Sequence, residues 1–409
     1  MQLRERGALR EIVADRSVAV VLALALFVNL GTGMVLPILP LYARSFGVDY
    51  AEAGLLVAAF YIARLVFDLT AGVVLDRLGI AAAAAGGLVA LSAGALFTGL
   101  SPSFPVAVFC WAIAGAGAAI VWAAMYNALI RFVPKSRMAR ALSLFYGAFN
   151  GGIVAGGFLG GLIAGRLGLP APLFFLAAIA VGLAGLMRVL LPRRPRTAAS
   201  PAAPDATATA PAGLSTVALF RIPGFAAAVI ALLANLWMFG AVFNTLVPLY
   251  ARDVLRLSPV GIGILFAVAL AAEFLAYYPA GNWADTRGRR SVLIPAFACL
   301  ALAALVLGWA GSVVLFGLLL SVLGVASGFS GVPPAAILAD VLPGNRSARG
   351  VAVFRFGGDL GFSLGPLIAG FTAANLGFKA AFAIAGIPSV IALVVVALGR
   401  ETLGAEAVT

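Results

Sequence analysis

Five ionisable side chains lie inside long apolar segments, where a charge is most costly to bury. They are Arg64, Asp68, Glu273, Arg355 and Asp359. On membrane-insertion scales a charged residue at the centre of a spanning helix costs about 2.5–3.5 kcal/mol, so five unpaired charges would be prohibitive. Ionisable groups in such positions indicate function, and a carboxyl group there suits repeated gain and loss of a proton. The chain has no histidine, so any proton handling must use carboxylates.

Four of these groups form two pairs along the sequence. Arg64 and Asp68 are spaced i,i+4, as are Arg355 and Asp359, so each pair shares one helix face. Glu273 has no partner within its own helix, and we expect it to be the proton-carrying group. The alternative is a static charge network that holds the protein in register, although buried ion pairs are poor sources of stability.

Membrane-spanning helices must position these residues. The chain has 409 residues, of which 63% are hydrophobic and 10% charged, whereas soluble domains are about half apolar and about a quarter charged. A span needs about 20 apolar residues, and twelve stretches qualify. Numbered 1 to 12, they are 17–40, 51–75, 80–100, 104–130, 139–166, 170–191, 222–249, 259–283, 291–310, 312–339, 348–374 and 377–399. They lack the alternating pattern of an outer-membrane barrel, so the spans are helices.

The distribution of basic residues predicts the orientation. With the N-terminus inside, 20 of the 27 Lys and Arg residues lie on the internal side and 5 on the external side. This asymmetry follows the positive-inside rule and predicts a protein integral to the inner or plasma membrane, with both termini cytoplasmic. The net charge of +12 is thus explained without nucleic acid. The first 30 residues could pass for a signal peptide, but the absence of a small-residue cleavage site favours an uncleaved first span.

The chain contains an internal repeat. Pro40–Arg44 and Pro248–Arg252 have the same sequence, at an offset of 208. From Gly54 onward the offset is 209, and the matched positions carry Asp, Arg and Pro as well as Gly. Matched pairs include Gly54 and Gly263, Gly72 and Gly281, Asp76 and Asp285, Gly79 and Gly288, and Arg140 and Arg349. Chance alignment of two apolar regions would not match charged residues at one offset, so the halves are duplicates.

The repeat predicts the domain organisation. An N-terminal six-helix bundle covers 1–191, a cytoplasmic linker rich in Pro, Ala and Thr covers 192–221, and a C-terminal six-helix bundle covers 222–409. The predicted fold class is an all-α membrane protein with twelve transmembrane helices in two pseudo-symmetric six-helix bundles. Two six-span halves around a midplane site are a known transporter plan.

The loops after spans 2 and 8 carry a repeated motif. The first reads Gly72-Val-Val-Leu-Asp76-Arg77-Leu-Gly79, and the second reads Gly281-Asn-Trp-Ala-Asp285-Thr-Arg287-Gly288-Arg289-Arg290. In these loops the chain resembles the major facilitator superfamily, and within it the twelve-span drug:proton antiporters. The resemblance implies that the loops latch the cytoplasmic side shut. The first copy has Ile80 and Ala81 where the family has two basic residues. The alternative is that the basic residues only set topology.

Two glycine-rich runs add to the resemblance. Span 5 carries Gly152, Gly156, Gly160 and Gly161, and span 11 carries Gly361, Gly365, Pro366 and Gly370. In the family such a run indicates antiport, while close packing of helices through small residues is an equally sufficient explanation. A family arginine in span 4, often tied to proton transfer, is replaced by Trp111. Any proton route must therefore run differently.

The resemblance also implies where the charged residues lie. In the family, spans 2 and 11 meet between the halves, as do spans 5 and 8, so the two Arg–Asp pairs could form one cluster and Glu273 would face Tyr146 and Asn150. Spans 1, 4, 7 and 10 would line the substrate cavity. Their candidate contacts are Asn29, Trp122, Tyr126, Asn127, Asn235, Trp237, Asn244 and Phe329. For any single one, ordinary packing or hydrogen bonding between helices is the alternative. Pro333 and Pro334 predict a bend in span 10.

These features predict a secondary active transporter that exports a small apolar or amphipathic compound by alternating access, driven by the proton gradient. The alternatives are proton-coupled uptake of a small organic acid or other metabolite, and a non-transporting membrane receptor of the same fold. Cys110 and Cys299 offer neither a disulfide framework nor a metal site. We expect no enzyme activity, no cofactor, no metal and no nucleic acid. The expected partners are a small-molecule substrate and membrane lipid, with the protein monomeric.

Overall fold

The computed structural model describes residues 16–133, 138–190, 216–342 and 347–403, and all regular structure in them is helical. Ten of these helices are long and apolar enough to cross a membrane. One of them, Arg349–Leu398, has 50 residues and leaves the helical conformation at Gly377, where φ is 78°, so it provides two crossings. With Ala171–Leu190, a helix of 20 residues, the described chain provides the twelve predicted crossings.

The first six spans follow the predicted order. Span 1 consists of Arg16–Val35 and the short helix Leu39–Arg44, joined by a turn that contains Pro37. The others are Tyr50–Leu78 for span 2, Ile80–Gly99 for span 3, Phe104–Phe132 for span 4, Met138–Leu167 for span 5 and Ala171–Leu190 for span 6. Their ends lie within a few residues of the predicted ones, because the apolar stretches fix the spans but not their last turns.

The second six spans contain more interruptions. After a short helix, Thr216–Leu219, span 7 runs through Phe225–Met238, a π-helix at Phe239–Leu246, and Val247–Asp253. Spans 8 and 9 are Pro259–Arg287 and Arg289–Leu307, and span 10 is Val313–Gly331 followed by Pro333–Val341. Spans 11 and 12 share Ser347–Ala385, and span 12 continues through Ile387–Leu398. The interruption of span 10 falls at Val332, directly before Pro333 and Pro334, in agreement with the bend predicted from these prolines.

The described residues group into two compact units. Unit 1 lies within Met1–Ile38 and Ile62–Ala203, and unit 2 within Leu39–Tyr61 and Pro204–Thr409. In unit 1, span 1 packs on span 5, and span 3 packs on spans 4 and 6. In unit 2, span 7 packs on span 11, and span 9 packs on spans 10 and 12, so the same pairings recur in both copies of the repeat.

The domain boundaries at 191 and 222 stay a prediction, and most of the predicted linker lies outside the described residues. Leu39–Tyr61, which the sequence places in the N-terminal bundle, packs within unit 2. There, a Cβ atom at Gly54 would lie 2.3 Å from the carbonyl oxygen of Pro366, and one at Gly370 would lie 2.4 Å from that of Tyr50. The backbone of span 2, near the first turn of that span, therefore contacts the backbone of span 11.

Glycines bring the paired helices into similarly close contact elsewhere. Cβ atoms at Gly152, Gly156 and Gly160 would lie 2.4, 2.2 and 2.0 Å from carbonyl oxygens of span 1. In unit 2 a Cβ atom at Gly361 would lie 2.4 Å from the carbonyl oxygen of Leu233, and one at Gly365 would lie 3.0 Å from that of Trp237. Both glycine runs thus serve close helix packing, the first between spans 1 and 5 and the second between span 11 and both span 7 and the start of span 2.

The exterior of the helices is apolar. Leu275, Leu398 and Phe109 are among many large hydrophobic side chains with more than half of their surface exposed. In a water-soluble protein such a surface would promote aggregation. In an integral membrane protein an apolar exterior is expected, because it faces lipid. The largest buried side chains, including Trp111 and Phe145 in unit 1 and Phe243 and Phe266 in unit 2, fill the space between helices.

Candidate functional site

Glu273 lies in the middle of span 8 and is buried, with 5% of its surface exposed. Its Oε1 atom accepts two hydrogen bonds, one from the Ser327 hydroxyl at 3.0 Å and one from the Tyr277 hydroxyl at 3.2 Å. No described cationic side chain forms an ion pair with this carboxyl group. Glu273 is therefore held by neutral donors. These hydroxyl groups can donate hydrogen bonds to the carboxyl group in both its protonated and its ionised form.

The prediction that Glu273 has no partner in its own helix was wrong. Tyr277 is four residues further along span 8, so its ring lies over the same helix face. The i,i+4 spacing of Glu273 and Tyr277 is visible in the sequence and could have revealed this contact. Ser327 was also missed, because nothing in the sequence shows which of the span 10 serines faces span 8.

Asn235 of span 7 extends the hydrogen bonds around Glu273. Its Nδ2 atom donates to the Ser330 hydroxyl at 2.8 Å and to the Ser327 carbonyl oxygen at 3.0 Å, and lies 3.3 Å from the Ser327 hydroxyl oxygen. The Ser330 hydroxyl in turn donates to the Ser327 carbonyl oxygen at 3.0 Å. Asn235, Ser327, Ser330, Glu273 and Tyr277 form one buried polar cluster, which we call the Glu273 cluster.

Glycines allow span 10 to carry its serines up to span 8. A Cβ atom at Gly328 would lie 2.5 Å from the carbonyl oxygen of Glu273, and one at Gly324 would lie 2.2 Å from that of Ala269. Because the two backbones touch, the short Ser327 side chain reaches the carboxyl group directly. The sequence LGVASGFS at 323–330 thus combines close packing with hydroxyl donors.

The two predicted Arg–Asp pairs differ in the structure. In span 2 the Nε atom of Arg64 lies 3.8 Å from an Asp68 carboxylate oxygen. The Arg64 guanidinium carbon also lies 5.6 Å from the centre of the Trp122 ring, a cation–π contact. In span 11 the described residues form no ion pair between Arg355 and Asp359, and Arg355 is exposed. The predicted pairing is therefore confirmed in span 2, and it is not formed among the described residues of span 11.

The loop after span 8 forms a network of charges. Arg289 pairs with Asp285 of span 8, and its Nε atom lies 3.1 Å from a carboxylate oxygen of Asp340 at the end of span 10. Thr402 donates to the same Asp340 oxygen at 3.1 Å. The guanidinium carbon of Arg287 lies 5.2 Å from the centre of the Trp283 ring. These contacts fasten the end of span 8 to spans 9 and 10 and to the residues after span 12.

Glu401 occupies the N-terminus of span 9. Its two carboxylate oxygens accept from the backbone N–H groups of Arg289 at 2.9 Å and Arg290 at 3.1 Å, and Oε1 also accepts from those of Thr402 and Leu403. Partial burial acts to raise the pKa of Glu401, but these backbone donors outweigh it and the pKa is lowered. Gly288, with φ of 99°, provides the space for the Glu401 carboxylate, since a Cβ atom at this position would lie 2.5 Å from a carboxylate oxygen. The anion at this helix end is thus Glu401, while Asp285 pairs with Arg289.

The corresponding loop of the first half is simpler. Gly79 has φ of 78°, which matches Gly288 at the same place in the repeat. Gly72, Asp76 and Arg77 are exposed, and Asp76 and Arg77 form no ion pair within the part of the chain that the structure describes. A latch role for either loop stays a prediction.

The predicted cavity residues fall into two classes. Asn29 and Asn127 donate to carbonyl oxygens four residues earlier in their own helices, and Trp237 donates to the carbonyl oxygen of Ala385 in span 12, so these three have backbone partners. Tyr126 and Phe329 are partly exposed. Of the four predicted cavity residues in unit 2, only Asn235 joins the Glu273 cluster among the described contacts.

Asn244 lies in the π-helix of span 7 and is fully buried. Its Nδ2 atom donates to the Tyr61 hydroxyl at 2.9 Å, and the Tyr61 ring stacks on Phe362 with 4.7 Å between ring centres. Gly240 lies beside Pro366, since a Cβ atom there would be 3.0 Å from the proline Cδ atom. The π-helix thus sits where the glycine–proline run of span 11 passes span 7.

Comparisons with known proteins agree with this architecture. Residues 21–272 and 238–407 match the family described as the Major Facilitator Superfamily. The chain is 25% identical over 260 residues to the quinolone resistance protein NorA of Staphylococcus aureus, a match that covers 61% of this chain and spans 64% of that protein's length. It is 28% identical over 173 residues to multidrug resistance protein 2 of Bacillus subtilis, which covers 42% of this chain and 43% of that protein.

Solved structures share the fold. A point mutant of the nucleoside transporter NupG superimposes with a TM-score of 0.74 at 18% identity, over 93% of this chain and 99% of that one. A bacterial homologue of the human lysosomal transporter Spinster, in an inward-facing and unoccupied conformation, gives a TM-score of 0.73 at 15% identity, over 93% of this chain and 94% of that one.

Proposed function

The chain belongs to the major facilitator superfamily, a family of secondary transporters, and from that premise we propose that it exports a small apolar or amphipathic compound in exchange for protons carried by Glu273. It is an integral membrane protein that moves a small-molecule substrate, not an enzyme. The observation that carries the proposal is the buried Glu273 carboxyl group, held by two hydroxyl donors and no described cation.

The physical argument rests on the cost of a buried charge. A permanent carboxylate in the middle of a span would pay desolvation throughout the transport cycle. A carboxyl group that is neutral for part of the cycle avoids that cost, and both hydroxyl donors bond to Oε1, which leaves Oε2 to hold the proton. Loss and gain of this proton from opposite sides of the membrane would couple substrate movement to the proton gradient.

The direction of transport is supported by the relatives. NorA is named for quinolone resistance and the Bacillus subtilis protein for multidrug resistance, names that fit export. The matches span less than two thirds of those proteins, so their activities remain proposals for this chain. Uptake of a small organic acid is the second candidate, because Arg64 presents a partly buried guanidinium on the face of Trp122.

The test is proton-driven flux in proteoliposomes that contain the purified protein. Norfloxacin and ethidium serve as probes, and binding is measured in parallel by thermal stabilisation. We expect Glu273→Gln to keep probe binding, because shape and hydrogen bonding are conserved, but to lose flux driven by a pH gradient. Glu52→Gln, an exposed carboxyl group at the start of span 2, is the matched control and should behave as wild type.

Three results are distinguishable. Wild-type flux and pH dependence in Glu273→Gln would refute the proton-carrying role. Loss of binding itself would make Glu273 a substrate contact. The direction of proton movement across the liposome membrane is measured after the probe is added. Proton movement opposite to that of the probe indicates exchange, and movement in the same direction indicates co-transport.

A further inference from the structure

The direction of the hydrogen bonds in the Glu273 cluster is fixed by Asn235. The Ser327 carbonyl oxygen can only accept, so the Asn235 amide must present its NH2 group to span 10. The same NH2 group lies 3.3 Å from the Ser327 hydroxyl oxygen, which accepts a share of the hydrogen donated to the Ser327 carbonyl oxygen, in a three-centre bond. The single Ser327 proton is left to point at Glu273, whose Oε1 atom is 3.0 Å away.

Donors aimed at a carboxyl oxygen favour its ionised form. While Asn235 is in place, Ser327 is held as a donor to Glu273. If Asn235 moved away, the Ser327 hydroxyl could turn back to a carbonyl oxygen of its own helix, as serine hydroxyls in helices commonly do. Glu273 would then lose one of its two donors, and its neutral form would be favoured.

Asn235 is also placed where span 7 is least regular. Its helix, Phe225–Met238, ends three residues later, and the π-helix Phe239–Leu246 follows at once. π-helices are rare and often occur at functional sites. The π-helix begins between Asn235 and Asn244, so it is the place in span 7 where we expect the Asn235 segment to move relative to the segment held at Tyr61.

From this geometry we propose that Asn235 is a positioning residue that couples movement of span 7 to the protonation of Glu273, acting through Ser327. The inference rests on the proposed proton-carrying role of Glu273. It adds a residue, Asn235, whose hydrogen bonds determine when Glu273 binds and releases its proton. With the Asn235 hydrogen bonds formed, Glu273 releases its proton; with them broken, it takes one up. The only bond made or broken is the O–H bond of Glu273, and the proton comes from or goes to water.

Few charges compete for this role. The described part of span 10 that contacts Glu273, Val313–Gly331, and the span 7 helix Phe225–Met238 carry no charged residue. The titratable and charged groups on the helices packed against span 8, and in span 8 itself, are Tyr250, Arg252, Asp253, Tyr277, Tyr278, Asp285, Arg287, Arg289, Arg290, Cys299 and Asp340. Of these, only Tyr277 is within hydrogen-bond distance of Glu273 among the described contacts.

The experiment follows the protonation of Glu273 directly. Infrared difference spectra of the full-length protein in liposomes, without substrate, record the C=O stretch of the protonated carboxyl group as a function of pH. The band is assigned by its loss in Glu273→Gln. We then compare wild type, Asn235→Leu, Ser327→Ala and the double variant, with Asn375→Leu as the matched control, since Asn375 is exposed and bonds only to a carbonyl oxygen in its own helix.

We expect Asn235→Leu to move the midpoint of this titration to higher pH by about one unit, a tenfold change that corresponds to the loss of one hydrogen-bond donor. Ser327→Ala should produce a similar shift. Because Asn235 acts through Ser327, the double variant should shift no further than Ser327→Ala alone. Should Asn235→Leu fail to fold, Asn235→Ala replaces it in the same comparison.

An unchanged midpoint in the Asn235 variant, or shifts that add in the double variant, would overturn the inference. Both outcomes are independent of flux, so they are distinct from a failure of the proposed function, which the flux of Glu273→Gln decides. A control shift in Asn375→Leu equal to that of Asn235→Leu would also overturn it, since the effect would then not depend on the Glu273 cluster.

Discussion

Gly156 in span 5 gives the sharpest test of helix packing, because the space beside it is filled by backbone. A Cβ atom there would lie 2.2 Å from the Leu30 carbonyl oxygen and 2.9 Å from the Gly33 Cα atom. No side chain can rotate away from these contacts, so Gly156→Ala must push spans 1 and 5 apart by about 1 Å to restore normal contact distances. Overpacking of this kind costs about 1–3 kcal/mol.

The measured loss will be smaller than this packing cost, because alanine stabilises a helix by about 1 kcal/mol relative to glycine. Gly151→Ala in the same helix isolates that gain, since a Cβ atom at Gly151 meets no atom within 4 Å. The difference in unfolding free energy between the two variants should therefore equal the packing term, about 1–3 kcal/mol, with Gly156→Ala the less stable. Chemical denaturation of both proteins in one detergent measures it. Equal stability of the two variants would refute the backbone contact.

Two further outcomes are expected. Glu401→Gln should weaken the attachment of the C-terminal residues to span 9 by about 0.5–1 kcal/mol, the lower part of the range for a helix cap because the carboxylate is partly solvated. Since the pKa of Glu401 is lowered in the folded protein, its contribution is present at neutral pH and is lost as pH falls through that value. Melting temperatures of wild type should therefore drop relative to Glu401→Gln on acidification, and parallel curves would contradict this. Separately, a cysteine at Ala203 should resist membrane-impermeant labelling from outside whole cells while one at Asp49 reacts, and labelling of Ala203 would overturn the predicted orientation.

Much of the fold could be predicted because membrane helices are specified by composition. Apolar stretches located all twelve crossings, and the charges and glycines repeated at one offset indicated the duplication. The π-helix at Phe239–Leu246 was not predicted, although Pro248, two residues beyond it, removes a backbone donor from this span. The grouping of Leu39–Tyr61 with unit 2 was also not predicted. The repeat shows which segments correspond to each other, but it does not show which helix faces pack together.

The candidate site was predicted in part, for a similar reason. Glu273 stood out because a charge inside an apolar stretch is costly wherever it lies in the fold. Ser327 and Ser330 did not, because serine is common in spans and becomes a partner only when glycines bring span 10 against span 8. The pair Arg355 and Asp359 shows the limit of spacing rules: residues on one helix face can meet, but their rotamers decide whether they do.

The π-helix determines which hydrogen-bond partners the two asparagine side chains of span 7 can reach. Each residue of an α-helix turns the chain by about 100°, so a stretch with wider turns alters the rotational phase of everything beyond it. Before this stretch Asn235 faces Ser327 and Ser330, and within it, two residues before its end, Asn244 faces Tyr61. An uninterrupted α-helix would rotate one amide relative to the other and could keep only one set of partners. Removing a single residue between Phe239 and Asn244 would therefore do more than shorten the span, because only one of the two amides could keep its hydrogen-bond partners.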